Sequence, residues 1–212
     1  MATPKLIDQK APAQPLKPTK GELSEVTLLE VSASLFHERG YGATTMRAIA
    51  EAAGMRAASV YYHFQSKDEI LQRVLEHGIS TATRGFREAL AQLPEDAPFE
   101  AKFNAGVTAH LRTVVASDVV IFATRQLLRV VPLEMRQNHY KMRDDYGAMW
   151  RKLLDEGVAQ GAIPPNSDLS LASLLMLGSL NWANEWADPN RKSVEDLSAI
   201  ACNLFLKGLR QA

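Results

Sequence analysis

Residues suited to touching nucleic acid crowd the stretch TTMRAIAEAAGMRAASVYYHFQSKDEI, from Thr44 to Ile70. The guanidinium forks of Arg47 and Arg56 can bond a guanine edge bidentately or hold a phosphate, and the sequence leaves both uses open. Ala57 and Ala58 can meet thymine methyl groups, and Thr45 and Ser59 add hydroxyls. Short side chains at 57, 58 and 59 let a helix lie deep in a major groove, where bulkier ones would hold it off. From Gly40 to Lys67 the chain has Arg47, Arg56 and Lys67 against Glu51. This local positive excess sits in a chain whose 24 Lys and Arg balance 24 Asp and Glu, and distribution marks a nucleic-acid partner better than the sum does.

Two short helices and a turn must hold these residues on one face. The first starts at Thr44 or Thr45, whose hydroxyl can accept a bond from an orphaned N–H of the opening turn. Met46, Ile49, Ala50 and Ala53 give it an apolar stripe that leaves Arg47 and Glu51 outside. Gly54 ends it, because glycine takes the left-handed conformation at little steric cost. The second runs from Arg56 or Ala57 to Phe64. It keeps Val60 and Phe64 for the core and turns Arg56, Ala57, Ser59, Tyr62 and His63 outward, with Tyr61 at the boundary. Ser66-Lys67-Asp68-Glu69 has capping-box spacing and starts a longer helix towards Leu90. Upstream, Thr19-x-x-Glu22 predicts a helix from about Lys20 to Arg39-Gly40 that buries Val26, Leu29, Ala33 and Phe36 and buttresses the pair. Before it, Met1 to Lys20 holds four prolines and four lysines against one aspartate, a composition that reads as a disordered arm.

Gly40-Tyr41, Thr44-Thr45, Arg47, Ile49-Ala50, Ala53-Gly54, Ser59-Val60-Tyr61, His63-Phe64 and Lys67 stand at a spacing that resembles, without a gap, the DNA-binding region of the TetR family of bacterial transcriptional regulators. The resemblance implies an all-α fold: a disordered arm over 1–19, a three-helix helix-turn-helix domain over 20–66, and a larger helical ligand-binding and dimerisation domain over 67–212. It makes Tyr61, Tyr62, His63 and Lys67 residues that position the DNA backbone, with Lys67 set to meet a phosphate at a helix N-terminus. Partial burial is the other reading of Tyr61. Arg56 stands where a small hydroxylic residue is typical, and Ala58 where glycine is frequent, so base preference does not carry over from relatives. A homodimer on a palindromic operator is implied, since two recognition helices about 34–36 Å apart meet successive turns of one groove face.

Composition and motifs narrow the alternatives. The 212 residues, 46% of them hydrophobic, suffice for a substantial core. A single Cys202 rules out an intramolecular disulfide framework. No apolar run approaches the ~18 residues of a membrane span, and no signal-peptide core is seen at the N-terminus, which places the protein in the cytoplasm as an expectation. The chain lacks Glu-x-x-His, His-x-x-x-His, Cys-x-x-Cys, Gly-x-Ser-x-Gly and phosphate-loop patterns, so neither enzyme activity nor a metal or cofactor is expected. His110 and His139 stand alone and read as structural. The competing class is a helical small-molecule-binding protein without a specific operator.

From Phe99 onward everything reads as helix, near 99–116, 118–130, 133–160, 168–186 and 193–209, with neither strand alternation nor hairpin turns. The segment from Leu169 to Trp186 is apolar almost all round and must be covered on two sides. With the last helix, which presents Leu197, Ile200, Ala201, Leu204, Phe205 and Leu209, it can form a four-helix interface between two subunits. Arg125-Gln126-Leu127, Pro132, Arg143-Asp144-x-Tyr146, Trp150, Leu153-Leu154-x-x-Gly157, Leu177-Gly178-x-Leu180-Asn181-Trp182 with Trp186, and Phe205-Leu206-x-Gly208-Leu209 resemble the subgroup that regulates fatty-acid or steroid catabolism and senses acyl-coenzyme A thioesters. An acyl chain needs an apolar tunnel, which Phe103, Val107, Leu111, Phe122, Met149 and Leu175 could line, with Tyr146 and Trp150 beside them. A phosphorylated head needs cations, which Arg125, Arg129 and Arg143 could supply, and Trp182 could wall the pocket or seal the dimer. A repressor of an efflux or other gene answering a hydrophobic drug or metabolite is the alternative within the family.

Overall fold

The computed structural model describes residues 20–116, 127–128, 131–187 and 191–211, and among them the chain forms helices and no strands. In order these are α1 Lys20–Arg39, α2 Met46–Ala52, α3 Ala57–His63, α4 Lys67–Ala91, α5 Phe99–Ala116, α6 Leu133–Ala159, α7 Leu169–Asn181, α8 Ala183–Trp186 and α9 Val194–Gln211.

Local chemistry sets the boundaries of the first four. Thr45 resolves the choice of N-cap, its hydroxyl accepting from Ala48 N at 3.1 Å. Thr44 instead turns inward and donates to Leu35 O at 3.2 Å and Gly40 O at 2.9 Å, which ties the end of α1 to the start of α2. Gly54 takes φ +64° and reverses the chain between α2 and α3. Ser66 caps α4 by accepting from Glu69 N at 3.1 Å, while Glu69 reaches back to Gln65 N at 2.7 Å. The capping spacing is thus used, with the return bond one residue earlier than in a closed box.

Two hydrophobic cores result, and α4 belongs to both. Leu28, Leu29, Ala33 and Phe36 of α1 bury Ile49, Val60 and Phe64 together with Ile70, Leu71, Val74 and Leu75 from the first turns of α4. The N-terminal core therefore extends past residue 66. Further along, Ala82 and Phe86 of α4 enter a second core with Phe99, Phe103, Val107 and Leu111 of α5, and Tyr146, Trp150 and Leu153 of α6.

Two expectations need correction. Val26 is exposed, because α1 gives its central and last turns, from Leu28 onward, to the core. The helix expected over 168–186 breaks at Trp182, whose N–H tightens back onto Ser179 O at 3.2 Å, after which Ala183 is fully buried in the second core. On α9, Ile200 and Leu204 face outward, while Ser198 and Cys202 are buried and Leu197, Ala201, Phe205 and Leu209 pack against the second core. Its Ser193–Asp196 cap is present, with Asp196 N donating to Ser193 Oγ at 3.1 Å. The arm over 1–19, Thr19 of the first capping pattern, and the helix placed at 118–130, apart from residues 127–128, lie outside the described residues.

Candidate nucleic-acid interface and effector cavity

The outward face of α2 and α3 gathers Thr45, Arg47, Arg56, Ala57, Ala58, Ser59, Tyr61 and Tyr62, all exposed, over a floor of buried Ile49, Val60 and Phe64. Tyr62 is 86% exposed and Tyr61 54%, a large apolar outlay for a surface left open among the described residues. His63 is half-buried and stands edge-on to Tyr62, ring centroids 5.4 Å apart. Arg56 occupies the N-cap of α3 and makes no capping bond, so its side chain is not tied to the helix it introduces.

Lys67 is different. Its ammonium donates to Tyr41 O and to Thr44 O, each at 2.7 Å, and lies 4.2 Å from the centre of the Tyr41 ring. The Tyr41 hydroxyl in turn donates to Asp68, and burial together with that carboxylate pushes the phenol pKa well above its usual value. Lys67, Tyr41 and Asp68 thus clasp the start of α4 to the turn between α1 and α2. At least two of the three ammonium hydrogens serve the fold.

Further along α4 a cavity of about 470 Å³ opens between α4, α5, α6 and α7, within the ~300–1,000 Å³ of small-molecule sites. Leu75, Ile79 and Ala82 of α4 form one wall, and Val114 and Leu177 face them from α5 and α7. Of the polar lining, His110, Thr113 and Ser173 are buried, Asn181 ends α7, and Arg143, Asp144 and Arg151 lie along α6. Arg143 pairs with Asp144 at 3.1 Å and rests 5.0 Å from the Tyr140 ring centre. His139 also lines the cavity, and its Nδ1 lies 3.2 Å from Leu75 O, where it donates across to α4. Burial lowers the pKa of His139, and drives that of His110 down to about 4.

Comparison with known proteins bears on both regions. The model described as "Bacterial regulatory proteins, tetR family" matches residues 28–74, and "Tetracyclin repressor-like, C-terminal domain" matches residues 96–209. The chain belongs to the TetR family. It is similar to the HTH-type transcriptional repressor KstR2 of Rhodococcus jostii, 29% identical over 92% of this chain and 96% of that one. The fatty acid metabolism regulator protein of Bacillus subtilis is 22% identical over 86% of this chain and 93% of its own length. Among solved structures, the TetR-family regulator PfmR from Thermus thermophilus superposes with a TM-score of 0.72 at 30% identity, covering 86% of this chain and 98% of that one. With TetR membership comes transcriptional regulation through a helix-turn-helix domain and a helical C-terminal domain.

Against this TetR frame the twelve residues expected at the ligand fall into separate groups. Tyr146 and Arg143 line the cavity. Phe103, Val107, Leu111 and Trp150 are buried in the second core, behind the cavity wall, and Met149 packs at its margin. Leu175 and Trp182 point outward, 64% and 54% exposed, so in a single subunit neither faces the cavity. Phe122, Arg125 and Arg129 lie outside the described residues. His110 and His139, read from the sequence as structural, line the cavity together with Thr113, Arg151 and Ser173, which the sequence did not single out, because a polar side chain on a helix gives no periodic signal of which cavity it meets.

Proposed function

We propose that this protein is a repressor that binds a palindromic operator as a homodimer in the cytoplasm and is released when an acyl-CoA thioester occupies the cavity of each subunit. One observation carries the reading: α4 is at once a part of the DNA-binding core and a wall of the cavity. A ligand that favours a different setting of α4 also favours a different separation of the two recognition helices. It shifts the equilibrium only by its differential affinity for the two states.

Further features support each part. The exposed face of α2 and α3 has the small, basic and aromatic residues of a groove reader. Leu171, Leu174, Leu175 and Trp182 of α7 and its end, and Ile200 and Leu204 of α9, are each more than half exposed, an apolar outlay suited to a partner copy. The similarity to a repressor and to a fatty-acid metabolism regulator favours repression and an acyl ligand. Arg143 and Arg151 are cations at the cavity for a phosphorylated head too large to enter it.

The test is fluorescence anisotropy with DNA from upstream of the protein's own gene, titrated with short, long and sterol-derived acyl-CoA thioesters, free coenzyme A and the matching acids. Release by thioesters at concentrations where the acids do nothing is expected. In thermal melts, a ligand at a hundred times its Kd adds about 2.7 kcal/mol, or very roughly 5–10 °C for a chain of this size. Equal response to acids and thioesters would discard the coenzyme A moiety, and no specific retention of the DNA would discard the repressor.

A further inference from the structure

Arg143, Asp144 and Arg151 are the charged side chains that line the cavity, and their charges do not cancel. Arg143 is answered by Asp144 at 3.1 Å and rests on the Tyr140 ring, 5.0 Å from its centre. Arg151 makes neither an ion pair nor a hydrogen bond among the described residues. The histidines of the lining, His110 and His139, are held neutral by burial. One positive charge is left over, and Arg151 carries it.

That side chain is set into the wall. Arg151 is half-buried on α6 and reaches back one turn, in the direction that helical side chains lean, to lie across Gly147. A Cβ at 147 would stand 3.3 Å from Arg151 Nη1, and Gly147 is itself buried and lines the cavity. The glycine therefore gives the guanidinium a seat that a side chain would narrow. Arg143, Gly147 and Arg151 recur every four residues, which puts the seat on the face of α6 that borders the space. Beyond it the walls are hydrocarbon, from Leu75, Ile79 and Ala82 of α4 and Leu177 of α7. Withdrawing a cation from water without an anion costs free energy. A guanidinium fork matches the paired oxygens of a carboxylate or phosphate.

We infer that the effector is an anionic amphiphile: a carboxylate or phosphate oxygen pairs with Arg151 over Gly147 while the apolar part enters the cavity. Among the described residues the lining holds no carboxylate besides Asp144, which Arg143 already engages, so a cationic or uncharged hydrophobic compound finds no equivalent partner. The inference rests on the cavity being the effector site, as proposed above, but does not depend on the coenzyme A moiety, since a free acid offers the same oxygens.

Pairs that share an apolar part and differ in charge separate the two ideas. Binding to the full-length protein would be measured calorimetrically for decanoate and decanamide, for decanoyl-CoA and the uncharged decanoyl-pantetheine, and for the same pairs built on the steroid acid cholanoate. In at least one pair the anion is expected to bind about ten- to a hundredfold tighter, the worth of a bond to a charged group. Arg151→Met should bring that ratio near one without weakening the uncharged partner, and Gly147→Ala should reduce it by crowding the seat. Should Arg151→Met fail to fold, spectra of arginine-labelled wild type give the readout, with Nε–H of Arg151 shifting for the anion of a pair and not for its partner. Equal affinity within every pair overturns the inference, as does a preference that survives Arg151→Met, or the absence of binding by every anion. With equal affinities, operator release by the thioesters would still leave the repressor reading standing. A charge preference shown by the acids and not by the thioesters upholds the inference while removing coenzyme A from the function.

Discussion

Arg56 and Tyr62 both belong to the exposed face built around α3, yet their substitutions should have different signatures. Tyr62→Ala removes a side chain that is 86% exposed, so stability should stay within about 0.5 kcal/mol while affinity falls alike on every DNA sequence. Arg56→Ala should relax preference at one base pair if the guanidinium reads an edge. Selection from a randomised operator library distinguishes this from a phosphate contact, for which affinity would drop with preference unchanged. Lys67→Met tests the clasp. Loss of two bonds from a charged donor to Tyr41 O and Thr44 O should cost about 1.5–3 kcal/mol in denaturant unfolding without DNA. A residue that served phosphate alone would leave that unfolding curve where it was.

At the scale of elements, α4, α5 and α6 meet where glycines permit close approach. A Cβ on Gly157 of α6 would stand 2.9 Å from the Phe99 ring and 2.9 Å from Ile163 Cδ1. Gly157→Ala is therefore expected to destabilise by about 1–3 kcal/mol through overpacking, lowering the melting temperature by about 2–4 °C per kcal/mol. An unchanged melt would mean that Phe99 and Ile163 yield freely. The contrast with α2 and α3 is instructive for how far sequence carries. Thr45, Gly54, Ser66 and the stripe from Met46 to Ala53 act on backbone within four residues of themselves, so those helices were legible in full. Val26 was misjudged because periodicity reports which positions share a face, not how far along the helix a neighbour reaches. Trp182 was read as mid-helix for a related reason, since the break there follows from Ala183 docking in the second core.

The whole molecule adds two expectations. Leu174→Glu and Leu204→Glu each place a charge on a face where the native side chain is 62% or 68% exposed. A subunit alone should tolerate both. If these faces join two copies, light scattering should report monomers and operator affinity should collapse, because a single recognition helix loses the second half-site. The second expectation concerns acid. His110, His77 and His139 all have pKa values lowered by burial, that of His110 to about 4. At these sites the unfolded chain takes up protons from about pH 6.5 downward, whereas folded His110 resists until about pH 4. Stability is accordingly complete above about pH 6.5 and falls as the pH drops towards 4, by on the order of 3 kcal/mol from His110. Melts of wild type and His110→Asn across that window should converge at the acid end. Parallel curves would show that His110 titrates alike in both states.

By itself the sequence determined the helical class, the helix-turn-helix unit and the residues it presents, since caps, turns and short apolar stripes are short-range physics. The family resemblance followed from the same residues. Which arginines and aromatics surround the cavity was decided only by tertiary packing. Phe103, Val107, Leu111 and Trp150 share composition with cavity-lining residues but fill a core. His110, read as structural, and Arg151, which carried no sequence signal, line the space itself. The capture of Lys67 by the fold is likewise tertiary. Its partners are carbonyls more than twenty residues away, and no local pattern distinguishes an ammonium that will find two such oxygens from one left to solvent.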